Sequence, residues 1–248
     1  MPRPRPRWSD AATILEHFAL VTFDVGPDVL QTVLPAELKP EVRTLDDGRR
    51  RAFVSAVSFR DVDFRFRGAD AVRRSFFQTN YRAYATGPAG TRGVFFFETT
   101  LDSRLSVVPR RLWGMPWFGG ATTIEAAWDA DRCAEYRHVC TGERNAADVA
   151  LIGSTDPLDR LDGFADRDAA RMLTDPLDGW FLRPDGRLAR YSVWHDLLAP
   201  TIGSATHARY TVFERLGLIK PGTQPHSVLL QRSVEFDVHL PPRLVAAE

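Results

Sequence analysis

Apolar and polar residues alternate with a period of two through much of the chain, the spacing of half-buried β-strands. In 17–25, His17, Ala19, Val21, Phe23 and Val25 fall on one side, and Phe18, Leu20, Thr22 and Asp24 on the other. In 51–59, Phe53, Ser55, Val57 and Phe59 oppose Ala52, Val54 and Ala56. Segments 75–85, 92–100, 119–128, 133–140, 186–194 and 227–240 follow the same logic. All are rich in β-branched and aromatic residues and are bounded by Gly, Pro or Asp. Four stretches read as helices. The first, 26–35, opens near Pro27 and stops at Pro35. The second, 101–114, starts at an Asp102 or Ser103 cap, ends at Gly114 and is predicted to kink at Pro109. The others are 175–182 and 204–218, the latter closed by Gly217. Strands and helices do not alternate strictly, which argues against a doubly wound parallel sheet. The pattern predicts an α+β fold, with a mainly antiparallel, closed or strongly curved sheet and a few short helices. Residues 142–175 are polar and Asp-rich and read as a surface excursion from a single domain spanning 9–248. Residues 1–8, MPRPRPRW, read as a flexible polyproline-like arm.

Composition narrows the function. The chain has 248 residues, 44% hydrophobic and 26% charged, with formal net charge zero. That is an ordinary globular mix. Nothing in it points to nucleic acid or membrane as the main partner. A small-molecule substrate, a cytoplasmic location and homo-oligomerisation are the compatible expectations. Cys133 and Cys140 cannot form a zinc site alone. Seven positions apart on one strand, they are predicted on opposite faces. Of the 32 Lys and Arg residues, only Lys39 and Lys220 are lysine, leaving 30 arginines. Only two side chains can therefore form an imine with a carbonyl compound.

The segment RRLWGMPWFGGA, 110–121, carries too many large rings for a solvated loop, and too much Gly and Pro for a plain helix or strand. Together with Gln78, Asn80, Arg82 and Tyr84 on one strand and Gly93 to Phe97 on the next, it resembles the acetoacetate decarboxylase superfamily, and within it a bacterial domain-of-unknown-function branch. GRLARYSVWH, running into His195, and PHSVLLQRSVEFDVHLPPRL extend the resemblance. It implies a barrel- or cone-like sheet enclosing a cavity. In the decarboxylase the motif's Gly-x-Pro is followed by two lysines, the Schiff-base residue and its activator. Here those places hold Trp117 and Phe118. Gln78 stands where relatives carry Glu.

The resemblance implies an aromatic, cationic pocket short of acid–base groups. Arg82 and Arg110 are the expected oxyanion holders, Gln78 the carbonyl partner and His195 the proton carrier. Trp117, Tyr84, Phe97, Met115 and Trp113 are the expected substrate-binding wall. Trp117, rather than Phe118, should face the cavity. His17, His138 and His207 are weaker candidates. There is no metal-ligand spacing, phosphate loop or nucleophile elbow, so no cofactor or metal is expected. The expected function is cofactor-independent lyase, isomerase or cyclase chemistry on an enolic, keto-acid or aromatic substrate, in secondary metabolism. A non-catalytic small-molecule binder is the alternative.

Overall fold

The long alternating segments form long strands. A computed structural model of the chain describes residues 3–104, 107–165 and 167–245, the side chains of 167–169 excepted. The elements run β1 (Ala11–Val25), α1 (Pro27–Gln31), β2 (Lys39–Pro40), β3 (Arg43–Thr44), β4 (Arg50–Phe66), β5 (Arg74–Thr86), β6 (Arg92–Leu101), α2 (Val107–Trp113), β7 (Trp117–Asp129), β8 (Arg132–Gly142), β9 (Ala146–Pro157), β10 (Asp178–Leu182), β11 (Leu188–His195), β12 (Thr201–Tyr210), α3 (Thr211–Arg215) and β13 (Ser227–Leu244).

The pairings close two rings. Strands β6-β7-β8-β9-β12-β13-β1-β4-β5 return to β6, and β11-β10-β6-β5-β4-β1-β13 return to β11. Five strands, β1, β4, β5, β6 and β13, belong to both. Every pairing is antiparallel except β6 with β7 and β6 with β10. The shared strands bury both faces. Ala19, Val21 and Phe23 of β1 join one apolar cluster with Val54, Ala83 and Tyr136. Leu15, Phe18 and Leu20 join another with Phe53, Val57 and Phe96. Ring closure removes most exposed sheet edge. The strongly curved, largely antiparallel α+β sheet is the architecture the periodicity predicts. Among the described residues no helix is long and apolar enough to cross a membrane.

Several local expectations are corrected. Residues 178–182 are strand β10, and of the expected helix 204–218 only Thr211–Arg215 is helical, as α3, the residues before it belonging to strand β12. The Thr, Ile and aromatic content of β10 and β12 suits strands, which pair with β6 and β11, and with β9 and β13. Helix α1 stops at Gln31 rather than Pro35. Helix α2 is described over Val107–Trp113, with Pro109 as its third described residue. Residues 105 and 106 lie outside the described set. Gly114, at φ 68°, ends α2 in the left-handed conformation. Cys133 and Cys140 are both buried on one face, because β8 carries an extra residue: Ala127 pairs with Glu135 while Trp128 pairs with Cys133. The Asp-rich 142–175 stretch contains β9, which buries Val149 and Leu151 in the core. Residues 3–8 lie along β13: Arg3 Nε is 2.7 Å from Asp237 Oδ2, and its guanidinium lies over Trp194.

Candidate functional site

Every strand of the seven-strand ring sends side chains into one cavity. Its lining comes from β1 (Thr13, Phe18), β4 (Phe59, Asp61), β5 (Gln78, Asn80, Arg82), β6 (Phe96), β10 (Asp178), β11 (Tyr191, His195) and β13 (Phe236), with Trp117 from the start of β7. The enclosed space is about 100 Å3. An engineered 150 Å3 cavity accepts benzene, so this one suits a ligand of a few heavy atoms.

The strand period explains the polar row. Gln78, Asn80 and Arg82 alternate along β5 and pair across to Phe59, Val57 and Ser55 of β4. Gln78 Nε2 donates to Asn80 Oδ1 at 2.8 Å, and Thr99 Oγ1 donates to the same oxygen at 2.8 Å. Asn80 thus arrives with its carbonyl committed. Arg82 Nη2 donates to the Leu173 carbonyl at 3.0 Å and to Tyr84 Oη at 3.3 Å. Its Nε is buried with no hydrogen-bond partner. A cation held by neutral oxygens at Nη2, with its Nε donor unpaired, is suited to an anionic oxygen.

Asp61 is the group the sequence did not reveal. Thr13 Oγ1 donates to its Oδ1 at 2.9 Å, and its Oδ2 is buried without a partner. Burial among apolar walls, aided by the Asp102 charge, pushes its carboxyl up to about 8, against the opposing Thr13 hydrogen bond. It is therefore mostly a neutral acid at pH 7. His195 has the opposite character. Its Nδ1 lies 2.8 Å from the Asp196 carbonyl, an acceptor, so Nδ1 carries the proton and Nε2 is the basic nitrogen. Its ring stacks on Phe236 at 4.7 Å. Burial, reinforced by the Arg82 charge, lowers its pKa although the Asp196 carbonyl and nearby carboxylates oppose this. At neutral pH the cavity holds a protonated carboxylic acid and a neutral imidazole, an acid and a base set apart by environment. Tyr191, raised by burial, stays a neutral phenol.

Of the residues singled out from the sequence, Gln78, Arg82, Trp117 and His195 line this cavity. The others do not. Arg110 points outward: its Nη1 is 3.3 Å from Glu143 Oε2 and its guanidinium lies 4.7 Å over Phe118. The last turn of α2 faces solvent, which leaves the arginine pairing at the surface. Tyr84 is fully buried behind the wall, its hydroxyl bonded to Ser55 Oγ at 2.9 Å and the Leu173 carbonyl at 3.1 Å. Phe97 faces the opposite cluster; its neighbour Phe96, cross-strand partner of Arg82, lines the cavity instead. Met115 and Trp113 border a separate apolar space of about 30 Å3, which shares Trp117, Phe64 and Val238 with the main cavity. Trp117 is thus the partition between the two. Phe118, the next residue, turns away and is covered by Arg110 and Arg144. Among the weaker histidines, His138 is buried against Thr79, His17 accepts a hydrogen bond from Trp128 Nε1 at 3.0 Å, and His207 lies 3.8 Å from Asp148 at the surface. Neither lysine lines the cavity; Lys39 and Lys220 are exposed.

Asp61 continues the row Phe53, Ser55, Val57, Phe59 in unbroken register, opposite Phe76, and the strand read from the sequence stops short of it, at Phe59. The β4 strand bulges beyond it, where Asp63 takes φ 60° and the pairing with β5 slips between Asp61 and Phe64.

Solved structures that superpose on this chain include enzymes. The acetoacetate decarboxylase of Legionella pneumophila superposes with a TM-score of 0.62 at 15% identity, covering 99% of this chain and 92% of that one. The enduracididine biosynthesis enzyme MppR, solved with HEPES buffer bound, gives 0.66 at 14% identity, covering 98% and 89%. An acetoacetate decarboxylase-like enzyme of Sphingomonas wittichii RW1 gives 0.63 at 12% identity, covering 100% and 97%. At these identities the shared property is the fold. No curated protein matches the sequence. The model of DUF2071, described as an uncharacterized conserved protein, matches residues 13–235, and the chain belongs to that family, on the acetoacetate decarboxylase-like fold.

Proposed function

We propose that this protein is an enzyme that moves a proton next to a carbonyl without forming an imine. The reaction class is lyase, isomerase or cyclase chemistry on a small enolisable oxo acid. One observation carries the reading: Asp61 and Arg82 line one cavity, and each keeps a buried polar atom with no protein partner. A buried cation and a buried carboxyl left incomplete are costly for folding alone. An oxo-acid ligand would complete either; Asp61 lies six residues along β4 from Ser55, the strand partner of Arg82. The ligand's carbonyl or enol oxygen meets the Asp61 proton and the Gln78 amide, and its anionic oxygen is drawn by the Arg82 charge, which reaches as far as His195. His195 Nε2 takes the carbon-bound proton, and Asp61 supplies one to the developing enolate oxygen. Phe18, Phe59, Phe96 and Phe236 keep water out, which strengthens each of these interactions.

The structural neighbours support this reading. MppR has been solved with pyruvate bound, and with the condensation product of pyruvate and imidazole 4-carboxaldehyde. The test is deuterium exchange at C3 of pyruvate and of 2-oxobutanoate in D2O, followed by proton NMR. The protein is expected to accelerate exchange of at least one, and Asp61→Asn and Arg82→Met to lose the acceleration. Saturable binding of both acids with exchange at the buffer rate would overturn the enzyme and leave a small-molecule binder.

A further inference from the structure

A second cavity, of about 300 Å3, lies against the outer side of Tyr191, which lines both spaces. Its wall consists of Pro4, Arg5, Arg7, Arg190, Tyr191, Ser192, His239, Pro241 and Arg243, with four arginines, one histidine and no carboxylate. We propose that it is a binding site for a multiply charged anion of the phosphate class.

Three observations point to an anion. First, Arg190 of β11 and Arg243 of β13 are directly opposite in the antiparallel ladder. Like charges in that position repel and are retained where something neutralises them. Asp178 offsets Arg190 only at 3.6 Å. Ser192 and His239 form a neighbouring cross-strand pair on the same wall and add a hydroxyl and an imidazole. Second, His239 Nδ1 is 3.2 Å from Asp10 Oδ2, while its Nε2 is buried without a partner. Third, the N-terminal arm closes the cavity. The alternating Arg-Pro sequence spends Arg3 on Asp237 and Arg7 on Asp10. Arg5, between them, has no carboxylate partner among the described residues, and neither has Arg243. Two guanidinium groups that line one cavity without a carboxylate partner among the described residues match a dianion or trianion better than a single carboxylate.

The chemistry has two sources: a phosphate carried by the substrate itself, reaching past Tyr191 into the inner cavity, or a separate anion. Calorimetric titration with inorganic diphosphate at low ionic strength tests the site. The protein is expected to bind it, with Arg5→Gln and Arg243→Gln each weakening it about tenfold or more, as for a lost hydrogen bond to a charged group. Arg74→Gln, an exposed arginine elsewhere, should leave binding unchanged. Thermal unfolding gives an independent readout. Arg243→Gln should melt higher than the parent without diphosphate, because the cross-strand repulsion is gone, and should lose the stabilisation that diphosphate confers on the parent. Phenyl phosphate binding more tightly than inorganic phosphate assigns the anion to the substrate; equal affinities assign it to a separate ligand. Either supports the site. Absence of diphosphate binding by the parent, or equal loss in Arg74→Gln, overturns it.

Discussion

At the residue scale, two buried ionisable groups set opposite pH trends. Asp61 has its carboxyl raised to about 8, so between its unfolded value and 8 the folded state binds more protons than the unfolded one. Stability then falls as pH rises across that window. His138, desolvated to about 4, does the reverse: the unfolded state binds its proton below about 6.5, so stability rises with pH up to there. Between pH 6.5 and 8 the Asp61 trend stands alone among these two. Urea midpoints of the parent should therefore decline across that interval, and those of Asp61→Asn should stay level. A parallel decline in the variant would remove Asp61 as the cause. Tyr84→Phe probes positioning. It removes the hydroxyl that meets Ser55, Leu173 and Arg82, and should cost about 1–2 kcal/mol of stability. It should also weaken oxo-acid binding while leaving the pH profile in place, since neither Asp61 nor His195 is touched.

At the element scale, strand phase decided what the sequence could reveal. The row Gln78–Asn80–Arg82 was legible because β5 is regular there and its period of two survives into the structure. Alternation shows only that Trp117 and Phe118 face opposite ways; Trp117 is singled out by its place at the Schiff-base lysine of the family that the chain resembles. Where a strand carries an extra residue, phase was lost, as between Cys133 and Tyr136. Arg110 was legible as a motif residue but not as an outward-facing one, because the orientation of α2 depends on tertiary packing. Strand β12 was hidden because it runs directly into helix α3, and β10 because it is only five residues long. Element packing also makes a prediction. Gly179 of β10 lies so close to β6 that an added Cβ would come within 2.6 Å of the Phe96 ring. Gly179→Ala should push Phe96 into the cavity. It is expected to destabilise by ~1–3 kcal/mol, as overpacking does, and to reduce oxo-acid affinity. Unchanged affinity, measured calorimetrically, would mean that Phe96 does not form the wall.

At the scale of the whole molecule, two rings share five strands and divide the work. The nine-strand ring is filled. In it Glu98 is bonded to Asn145 and paired with Arg215 of α3, while Asn145 also donates to Thr100 Oγ1 at 2.8 Å. Arg215→Met should leave Glu98 short of its counter-charge and cost about 2–4 kcal/mol, reduced from the fully buried case because Arg215 is partly exposed. Guanidinium chloride unfolding measures that loss, and cavity binding should be unaffected. The seven-strand ring is hollow and holds the candidate chemistry. The lysines lie outside both, so borohydride treatment with pyruvate should trap no adduct; a stoichiometric adduct on Lys39 or Lys220 by mass spectrometry would restore an imine route.

The central claim is that Asp61 works as a neutral acid beside a neutral His195. The pH dependence of kcat/KM for C3 exchange on the better of the two oxo acids tests it most directly. A bell is expected: an acid limb below pH 6.5, where His195 gains a proton, and an alkaline limb near pH 8, where Asp61 loses one. Asp61→Glu should keep both limbs, with the alkaline one displaced. An alkaline limb that stays in place in Asp61→Glu, or a rate that keeps climbing past pH 9 in the parent, would contradict it.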